Sequence, residues 1–329
     1  EAYDAIRDML SNLGDPYTRF LEPKEFSQMK IDTSGELTGV GIQIVKDKES
    51  DSIIIVSPVE GTPAFEAGIK AKDKILSIDD VSTKGMDIEN AVRLIRGQRG
   101  TKVKLEIQRG TKSFLKFLSR EKIEIKSVSS KVNQTKNGLL IGYVRIKQFN
   151  ANASKETRDA IKDLETKKVA GYVLDLRSNP GGLLESSIDI SRHFINKGVI
   201  VSTVSKDGLK ETKKGNGQAL TKKPLVVLVN EGSASASEIV SGAIKDNKRG
   251  KLVGKKTFGK GLVQSMRTLV DGSGLTVTVA KYLTPNGTDI NKSGIIPDIE
   301  VKMNINPILQ REIGTRKDKQ YRAGEKELI

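Results

Sequence analysis

The sequence predicts a multi-domain protein of mixed class, with an α/β part and an α+β part. Its 329 residues exceed the usual size of one domain, and 36% of them are hydrophobic, enough for more than one core. Short β-rich runs bounded by Gly, Pro and Asp precede residue 122, whereas apolar strands alternate with helices after it. We therefore expect a helical segment at 1–31, a β-rich domain at 32–121 and an α/β domain at 122–329.

The N-terminal segment is predicted to be helical. In EAYDAIRDMLSNLG, apolar residues recur at three-to-four spacing up to Leu13, and Gly14 ends the helix. The stretch DPYTRFLEPKEFSQM then reads as a turn and a second short helix.

The β-rich domain is predicted to contain several strands and two helices. The strands are LTGVGIQIV, DSIIIVSPV, DKILSIDDVS and GTKVKLEIQRG, and TPAFEAG is a short helix. MDIENAVRLIRG is a longer helix, because its apolar residues form one stripe and Gly97 closes it.

The last domain is predicted to contain parallel βαβ units. GYVRIKQF, GYVLDL and PLVVLV are strands, and each is followed by a helical pattern. Two later segments are again predicted to form strands, namely GLTVTVAKYLTPNGTDI and IIPDIEV. The charged tail from Asn306 is expected to fray or to pack loosely.

Composition limits the possible chemistry. The chain has no cysteine, which excludes thiol nucleophiles and zinc–cysteine sites, and its single histidine, His193, reads as a half-exposed helix residue. We therefore expect no metal and no cofactor. The chain begins with Glu1 rather than Met, so we expect a trimmed N-terminus, with any export signal outside this sequence.

The charge leaves two kinds of partner to consider. The net charge is +15, since 56 Lys and Arg face 41 Asp and Glu, and such a chain can attract nucleic acid or anionic membranes. The lysines are scattered, however, and 4% aromatic residues offer no stacking platform. We expect no nucleic-acid partner, whereas peripheral membrane association and the oligomeric state stay open.

The stretch NEGSASASEI, directly after an apolar strand, raises the question of a serine nucleophile. Ser235 with Glu238 matches a capping box, which is the structural interpretation. A sharp strand-to-helix turn is also where a reactive serine is exposed in α/β enzymes. The local sequence is not G-x-S-x-G, and both interpretations stay open on these residues alone.

A serine without a nearby histidine needs another base, and lysine is the known substitute. With a pKa of about 10.4, a free lysine is neutral only about once in 2500 at pH 7, so the base must be desolvated. Lys260 suits this role because glycines flank it and Phe258, Leu262 and Val263 adjoin them, whereas Lys245 lies in a charged run. Gln264 could accept a hydrogen bond from the lysine and orient it. An ordinary strand lysine is the alternative.

Together these segments resemble the carboxyl-terminal processing proteases, also called tail-specific proteases. The motifs that carry the resemblance are NEGSASASEI, TFGKGLVQS, LGDPYTRFL, TGVGIQI, AVRLIRGQRGTKV, LDLRSNPGGLL and GIIPDIEV. The resemblance covers nearly the whole chain and implies a PDZ domain inserted after N-terminal helices, followed by a ClpP/crotonase-like α/β protease core. It also implies that the N-terminal helical segment packs with this core. It implies that Ser235 is the nucleophile of a serine endopeptidase, Lys260 its general base and Gln264 the support of that lysine.

The resemblance also implies where substrate binds. The oxyanion hole would be formed by the backbone N–H of Ala236 and a donor in the NPGG turn, Gly181 in preference to Gly182. In the PDZ domain, backbone N–H groups of a carboxylate-binding loop would hold the C-terminus of a protein substrate, with the tail added as a strand. These predicted binding residues are Gly39, Val40, Gly41, Ile42, Ile88, Val92 and Arg96.

Ile88 and Val92 would line the peptide groove, although core packing is the alternative for both. Arg96 would couple peptide docking to assembly of the active site, although it could equally be a solvated helix-end arginine. Family members are exported, so the resemblance implies the bacterial periplasm or envelope, or the thylakoid lumen. A catalytically inactive peptide-binding scaffold remains the main alternative function.

Overall fold

The computed structural model describes residues 2–47, 50–302 and 312–329. The chain divides into two compact units. The larger unit combines residues 1–35 with 126–329, and the smaller unit is formed by residues 36–125. Both ends of the chain therefore belong to one unit, and the smaller unit is an insertion in it.

The larger unit begins with two helices and one short strand. These are α1 (Ala2–Ser11), β1 (Arg19–Leu21) and α2 (Pro23–Ser34). Gly35, with φ 71°, ends α2 in the left-handed conformation that favours glycine.

The smaller unit is built from antiparallel strands and two helices. Its elements are β2 (Glu36–Gly39), β3 (Ile42–Lys46), β4 (Ile53–Pro58), α3 (Pro63–Glu66), β5 (Lys74–Ile78), β6 (Val81–Ser82), α4 (Ile88–Ile95), β7 (Lys102–Arg109), β8 (Lys112–Ser119) and β9 (Glu121–Glu124). One sheet has the order β3-β4-β5-β7-β8, with β6 on β5, while β2 pairs with β9. Its core is aliphatic, with residues such as Ile53, Ile78 and Leu105 fully buried.

The larger unit continues with the predicted alternation of strands and helices. Its elements are β10 (Val128–Gln134), β11 (Leu140–Ile146), α5 (Ala153–Thr166), β12 (Gly171–Asp175), α6 (Leu184–Phe194), β13 (Val199–Ser205), β14 (Lys210–Lys214), β15 (Leu225–Val229), α7 (Ala236–Asp246), β16 (Lys251–Gly254), β17 (Leu262–Thr268), β18 (Gly274–Leu283), β19 (Ile299–Glu300) and α8 (Lys319–Lys326).

Two sheets organise this unit. The first has the order β10-β11-β12-β15-β16-β19, and every pair except β10–β11 is parallel, as the alternating pattern predicts. The second sheet is antiparallel, with the order β1-β18-β13-β14 and β17 on β18. The helices α5, α6 and α7 contribute to the main core against the first sheet, and α8 contributes to a second, smaller cluster on that sheet.

The expectation of a loosely packed tail is wrong for residues 312–329, while residues 303–311 lie outside the described part of the chain. Tyr321 of α8 is completely buried. Asp318 is also buried and accepts hydrogen bonds from the guanidinium of Arg177 at 2.7 and 3.1 Å. One carboxylate of the tail thus balances a buried arginine, and this ion pair ties the start of α8 to the segment after β12.

Candidate active site

Three neighbouring strands of the parallel sheet direct the predicted catalytic residues to one edge. β12, β15 and β16 lie side by side, so their carboxyl ends meet at the same edge. The turn after β12 carries Gly181, the turn after β15 carries Ser235, and the segment after β16 carries Lys260. In α/β sheets this is the edge at which ligands bind.

Ser235 has a strained backbone at the start of α7. Its φ of 53° and ψ of −113° lie outside the regions that non-glycine residues usually adopt, at a cost of about 1–3 kcal/mol. The turn is held by hydrogen bonds on both sides, because the Ala234 N–H donates to Asn179 O at 3.0 Å and the Ser235 N–H donates to Glu238 Oε2 at 2.9 Å. The second bond belongs to the predicted capping box. The helix cap and the sharp turn therefore coexist at one residue.

Space for a substrate oxygen lies beside the N–H of Ala236. Ala236 is the first residue of α7, and no acceptor for its N–H is found within the described residues. A Cβ added to Gly181 would lie 3.0 Å from this nitrogen and 2.8 Å from Ser235 Cβ. The missing side chain of Gly181 thus leaves open the volume in front of the Ala236 N–H. At the neighbouring Gly182, a Cβ would collide with Phe149 O at 2.3 Å.

The predicted second oxyanion donor is engaged within its own turn. The Gly181 N–H donates to Asn179 Oδ1 at 2.9 Å. Asn179 is completely buried, and its Nδ2 donates to Ile146 O at 2.8 Å. A substrate oxygen would therefore have to draw the Gly181 N–H away from, or share it with, the Asn179 side chain.

Lys260 lies in a pocket formed partly by the N-terminal segment. Its Nζ is 4.6 Å from the ring centre of Tyr17, and within the described residues it makes no hydrogen bond to Ser235. Burial lowers the pKa of Lys260, the positive charge of Arg19 lowers it further, and the negative charge of Asp15 opposes these effects. The net effect shifts the amine toward its neutral form, which is the form a general base requires.

The segment around Tyr17 is fixed against β18. Thr276 Oγ1 donates to Tyr17 O at 2.9 Å, and the Thr278 N–H donates to Thr18 Oγ1 at 3.1 Å. Thr18 in turn donates to Asp15 at 2.7 Å. Sequence reasoning missed these residues, because Tyr17 and Lys260 are far apart in the chain and no local pattern pairs them.

The glycines around Lys260 permit close packing of backbone, as the sequence indicates. A Cβ on Gly259 or Gly261 would lie 2.8 Å from backbone nitrogens of the loop at 291–294. The expected role of Phe258 in desolvating the amine is not supported, because 57% of this residue is exposed. The Tyr17 ring provides an aromatic surface over the amine instead.

Gln264 lies on β17 and lines the same cleft as Lys260. The predicted hydrogen bond between the two is not formed in the structure, because the amine is directed to Tyr17. The Nε2 of Gln264 is buried and finds no acceptor among the described residues. This amide is therefore available to a group that enters the cleft.

Glu238 joins the segment of the predicted nucleophile to that of the predicted base. It is completely buried on α7, and its Oε2 accepts the N–H groups of Ser235 and Lys260, both at 2.9 Å. Its Oε1 accepts the Gly259 N–H at 2.7 Å and the Thr257 hydroxyl at 2.6 Å. The sequence identified this residue only as a helix cap. The signal available in the sequence was an acidic residue among the apolar and small residues of SASEIVSGAI.

The predicted catalytic residues share one cleft of about 930 Å³. Its lining includes Gly181, Ser235, Ala236, Lys260, Gln264 and Tyr282. Apolar side chains from α7 and β17, such as Ile239, Val263 and Met266, line it as well. The cleft is large enough for several residues of an extended peptide.

His193 has no part in this arrangement. It lies on α6 and is half-buried, and its Nε2 is 3.0 Å from Ser154 O. Within residues 2–47, 50–302 and 312–329, no group of three His, Cys, Asp or Glu could hold a metal ion. In the same ranges, no helix is both long enough and apolar enough to cross a bilayer.

The smaller unit has an open sheet edge next to its predicted carboxylate-binding loop. β3 is an edge strand that pairs only with β4 in the described sheet, and Gly41, with φ 79°, makes the turn that precedes it. A Cβ at Gly41 would collide with the Thr62 side chain at 2.3 Å. Among the predicted groove residues, Ile88 and Val92 on α4 are both half-buried. Half-burial suits a groove wall, and Ile88 also packs against the core of this unit.

Other predicted binding residues occupy the same region. Val40 is buried, and its carbonyl accepts the Ala64 N–H at 2.9 Å. Gly39 ends β2, and Ile42 begins β3. Arg96 is half-buried directly after α4, where its N–H donates to Val92 O at 2.9 Å.

Comparison with known proteins identifies both units. Residues 140–301 match peptidase family S41, and residues 54–109 match the PDZ domain family. The chain is 46% identical over 325 residues to a carboxyl-terminal-processing protease of Synechocystis, covering 98% of this chain and 76% of the relative. It is 42% identical over 308 residues to the chloroplastic carboxyl-terminal-processing peptidase 2 of Arabidopsis thaliana, covering 91% of this chain and 60% of the relative.

A solved structure agrees with this assignment. The photosystem II D1 C-terminal processing protease superposes with a TM-score of 0.57 at 38% identity, covering 91% of this chain and 81% of that chain. The predicted fold class, a PDZ domain followed by a mixed α/β protease domain, is confirmed. The chain belongs to the carboxyl-terminal processing proteases, which are serine-type peptidases of family S41 with a PDZ domain.

Proposed function

We propose that this peptidase uses a Ser235–Lys260 dyad to cleave proteins near their C-terminus. The observation that carries the proposal is the convergence in one cleft of Ser235, the desolvated Lys260 and the Ala236 N–H, which has no acceptor among the described residues. Neutral Lys260 turns from the Tyr17 ring and accepts the proton of the Ser235 hydroxyl as Oγ attacks a peptide carbonyl. The ammonium then protonates the leaving amine, and the neutral lysine later activates water to hydrolyse the acyl-enzyme.

The oxyanion of the tetrahedral intermediate is assigned to the space beside Gly181. The Ala236 N–H provides one donor, supported by its position at the positive end of α7. The Gly181 N–H provides the second when it turns from Asn179 Oδ1 to the substrate oxygen. Gln264 supports Lys260 once the amine has left Tyr17, because both side chains line the cleft.

The PDZ domain is proposed to hold the C-terminal tail of the substrate. The loop from Gly39 to Ile42 would bind the terminal carboxylate, and the tail would pair with the open edge of β3. Ile88 and Val92 would contact an apolar side chain of the tail. For Arg96 we keep the coupling role that the family resemblance implies.

The domain division proposed from the sequence is 1–31, 32–121 and 122–329. The boundaries of the compact units, 35/36 and 125/126, fall four residues later at each junction and support this division. We also propose that the protein is exported, in keeping with the cyanobacterial and chloroplastic relatives. Its net charge of +15 suits peripheral contact with an anionic membrane surface.

Ser235→Ala should abolish turnover and leave binding of the C-terminal tail unchanged. Without Oγ no acyl-enzyme can form, whereas the PDZ domain is untouched. The measurement is cleavage of a fluorogenic peptide with a free apolar C-terminus, together with its binding by fluorescence anisotropy.

The matched control is Ser241→Ala, which removes a buried hydroxyl from the same helix, where Ser241 Oγ donates to Ser237 O at 2.7 Å. This control should cleave the peptide at the rate of the unmodified protein. Retained turnover in Ser235→Ala would refute the dyad. Binding of the peptide without cleavage by the unmodified protein would favour the scaffold alternative.

A further inference from the structure

Tyr282 contacts the backbone of both proposed dyad residues. It lies near the end of β18, and only 1% of the residue is exposed. Its hydroxyl is 2.6 Å from Lys260 O and 3.1 Å from Ser235 O. A single side chain thus joins the carbonyl groups of two residues that are separated in the chain by α7, β16 and the loop after β16.

The two contacts are unequal in importance. A phenol has one O–H to donate, and the shorter distance assigns it mainly to Lys260 O. Ser235 O also accepts the first helical N–H groups, from Glu238 at 2.8 Å and Ile239 at 3.0 Å. For Lys260 O, Tyr282 is the only donor found among the described residues. The segment around Lys260 therefore depends on this hydroxyl more than the segment around Ser235 does.

The phenol is well suited to a constant donor role. Burial raises the pKa of Tyr282 well above its ordinary value, and the negative charge of Glu238 raises it further. The hydroxyl therefore stays protonated over the working range of the enzyme. The backbone of Tyr282 is held independently of the hydroxyl, because its N–H donates to Gly261 O at 3.0 Å.

Tyr282 and Glu238 act on opposite polar groups of the same two residues. The Glu238 carboxylate accepts both N–H groups, and the Tyr282 hydroxyl contacts both carbonyl oxygens. Together they hold the segments around Ser235 and Lys260 in position. Catalysis is sensitive to this positioning, because a displacement of about 1 Å can cost about 100-fold in rate.

We propose that Tyr282 is a positioning residue, whose hydroxyl fixes the Lys260 backbone so that the amine can reach the Ser235 hydroxyl. This inference rests on the proposed dyad and extends it to a residue that neither touches the reacting atoms nor belongs to the family motif around the serine or the lysine.

The test is Tyr282→Phe, which removes the hydroxyl and retains the ring. We expect kcat to fall by roughly 10–100-fold, while KM changes by less than about threefold because the variant keeps the shape of the cleft. The acid limb of the pH profile of kcat/KM should also move, since the environment of Lys260 changes with its position. The groups that face this amine are Tyr17, Arg19 and Asp15, and the variant leaves them in place.

The matched control is Tyr172→Phe. Tyr172 is also 1% exposed in the same unit, and its hydroxyl donates to Glu165 Oε1 at 2.7 Å. It should lower the urea midpoint about as much as Tyr282→Phe, yet keep the kcat and pH profile of the unmodified protein. This comparison separates positioning from the general loss of a buried hydrogen bond.

The proposal is overturned if Tyr282→Phe keeps kcat within twofold of the unmodified protein, or if Tyr172→Phe loses as much kcat. Ser235→Ala, measured in parallel, distinguishes this failure from failure of the dyad itself. An inactive Ser235→Ala together with a fully active Tyr282→Phe rejects only the role of Tyr282. An active Ser235→Ala rejects the dyad.

Discussion

Lys260→Met is expected to lower kcat/KM by roughly 10²–10⁴-fold, the range that a positioned general base contributes. Methionine has a similar length and fills the apolar pocket, so the loss reflects removal of the amine rather than a cavity. Lys260→Arg should be equally impaired, because a guanidinium with a pKa above about 12 cannot accept the Ser235 proton near neutral pH. The measurement is single-turnover cleavage of the fluorogenic peptide, with folding checked by circular dichroism.

Lys245→Met provides the matched control for this experiment. Lys245 lies on α7, and its amine pairs with Asp298 at 2.9 Å and donates to Ile296 O at 2.7 Å. Loss of this partly exposed ion pair should leave turnover unchanged. If Lys260→Arg keeps the turnover of the unmodified protein, Lys260 is not the base.

Glu238→Gln is expected to impair both stability and catalysis. The carboxylate accepts four hydrogen bonds from its buried position, whereas a glutamine has one acceptor oxygen and directs its own N–H₂ at two of the donors. At about 1–3 kcal/mol for each donor left unsatisfied, the free energy of unfolding should fall by roughly 2–6 kcal/mol. Because Ser235 and Lys260 both depend on Oε2, kcat should fall by roughly 100-fold as well.

Urea unfolding and peptide cleavage of Glu238→Gln measure the two effects separately. Glu165→Gln is the control, since Glu165 accepts the Tyr172 hydroxyl and pairs with Lys223 at 2.6 Å at a more exposed site of the same unit. It should cost less stability and no activity. A Glu238→Gln protein with ordinary stability and turnover would contradict the bracing role assigned to the carboxylate.

The positions of the principal site segments could be predicted from local patterns. Apolar runs of strand length fixed β12 and β15, and the parallel alternation implied that the segments after them meet at one edge. The serine-rich start of α7 and the glycines around Lys260 were visible because each is a local signal of a sharp turn or a close approach. Their assignment to a dyad came from the family resemblance.

The surroundings of Lys260 could not be predicted, because they come from distant parts of the chain. Tyr17, Arg19 and Tyr282 reach the lysine only through the pairing of β1 and β17 with β18. Such long-range antiparallel pairing leaves no mark in the local sequence. For the same reason the sequence identified Phe258 as one of the neighbours that remove water from the amine, although 57% of Phe258 is exposed.

Two further elements could not be predicted because their sequences are rich in charged residues. Among the strands that the structure describes, β14, with the sequence KETKK, is an edge strand paired only with β13, and lysines at such edges protect against unwanted pairing. A strand of this composition has no apolar alternation to reveal it. The charged tail was predicted to be loose for a similar reason, whereas the burial of Asp318 depends on Arg177, a partner 141 positions away.

The pKa of Lys260 is the most direct test of the central claim that this amine is neutral when Ser235 reacts. It can be measured by ¹³C NMR titration of the reductively methylated protein, with the Lys260 signal assigned through Lys260→Arg. Because burial and the charge of Arg19 disfavour the ammonium more than Asp15 favours it, we predict a pKa clearly below the ordinary value of about 10.4. A Lys260 pKa at or above that value would contradict the mechanism, since the amine would then hold its proton at the pH where the enzyme works.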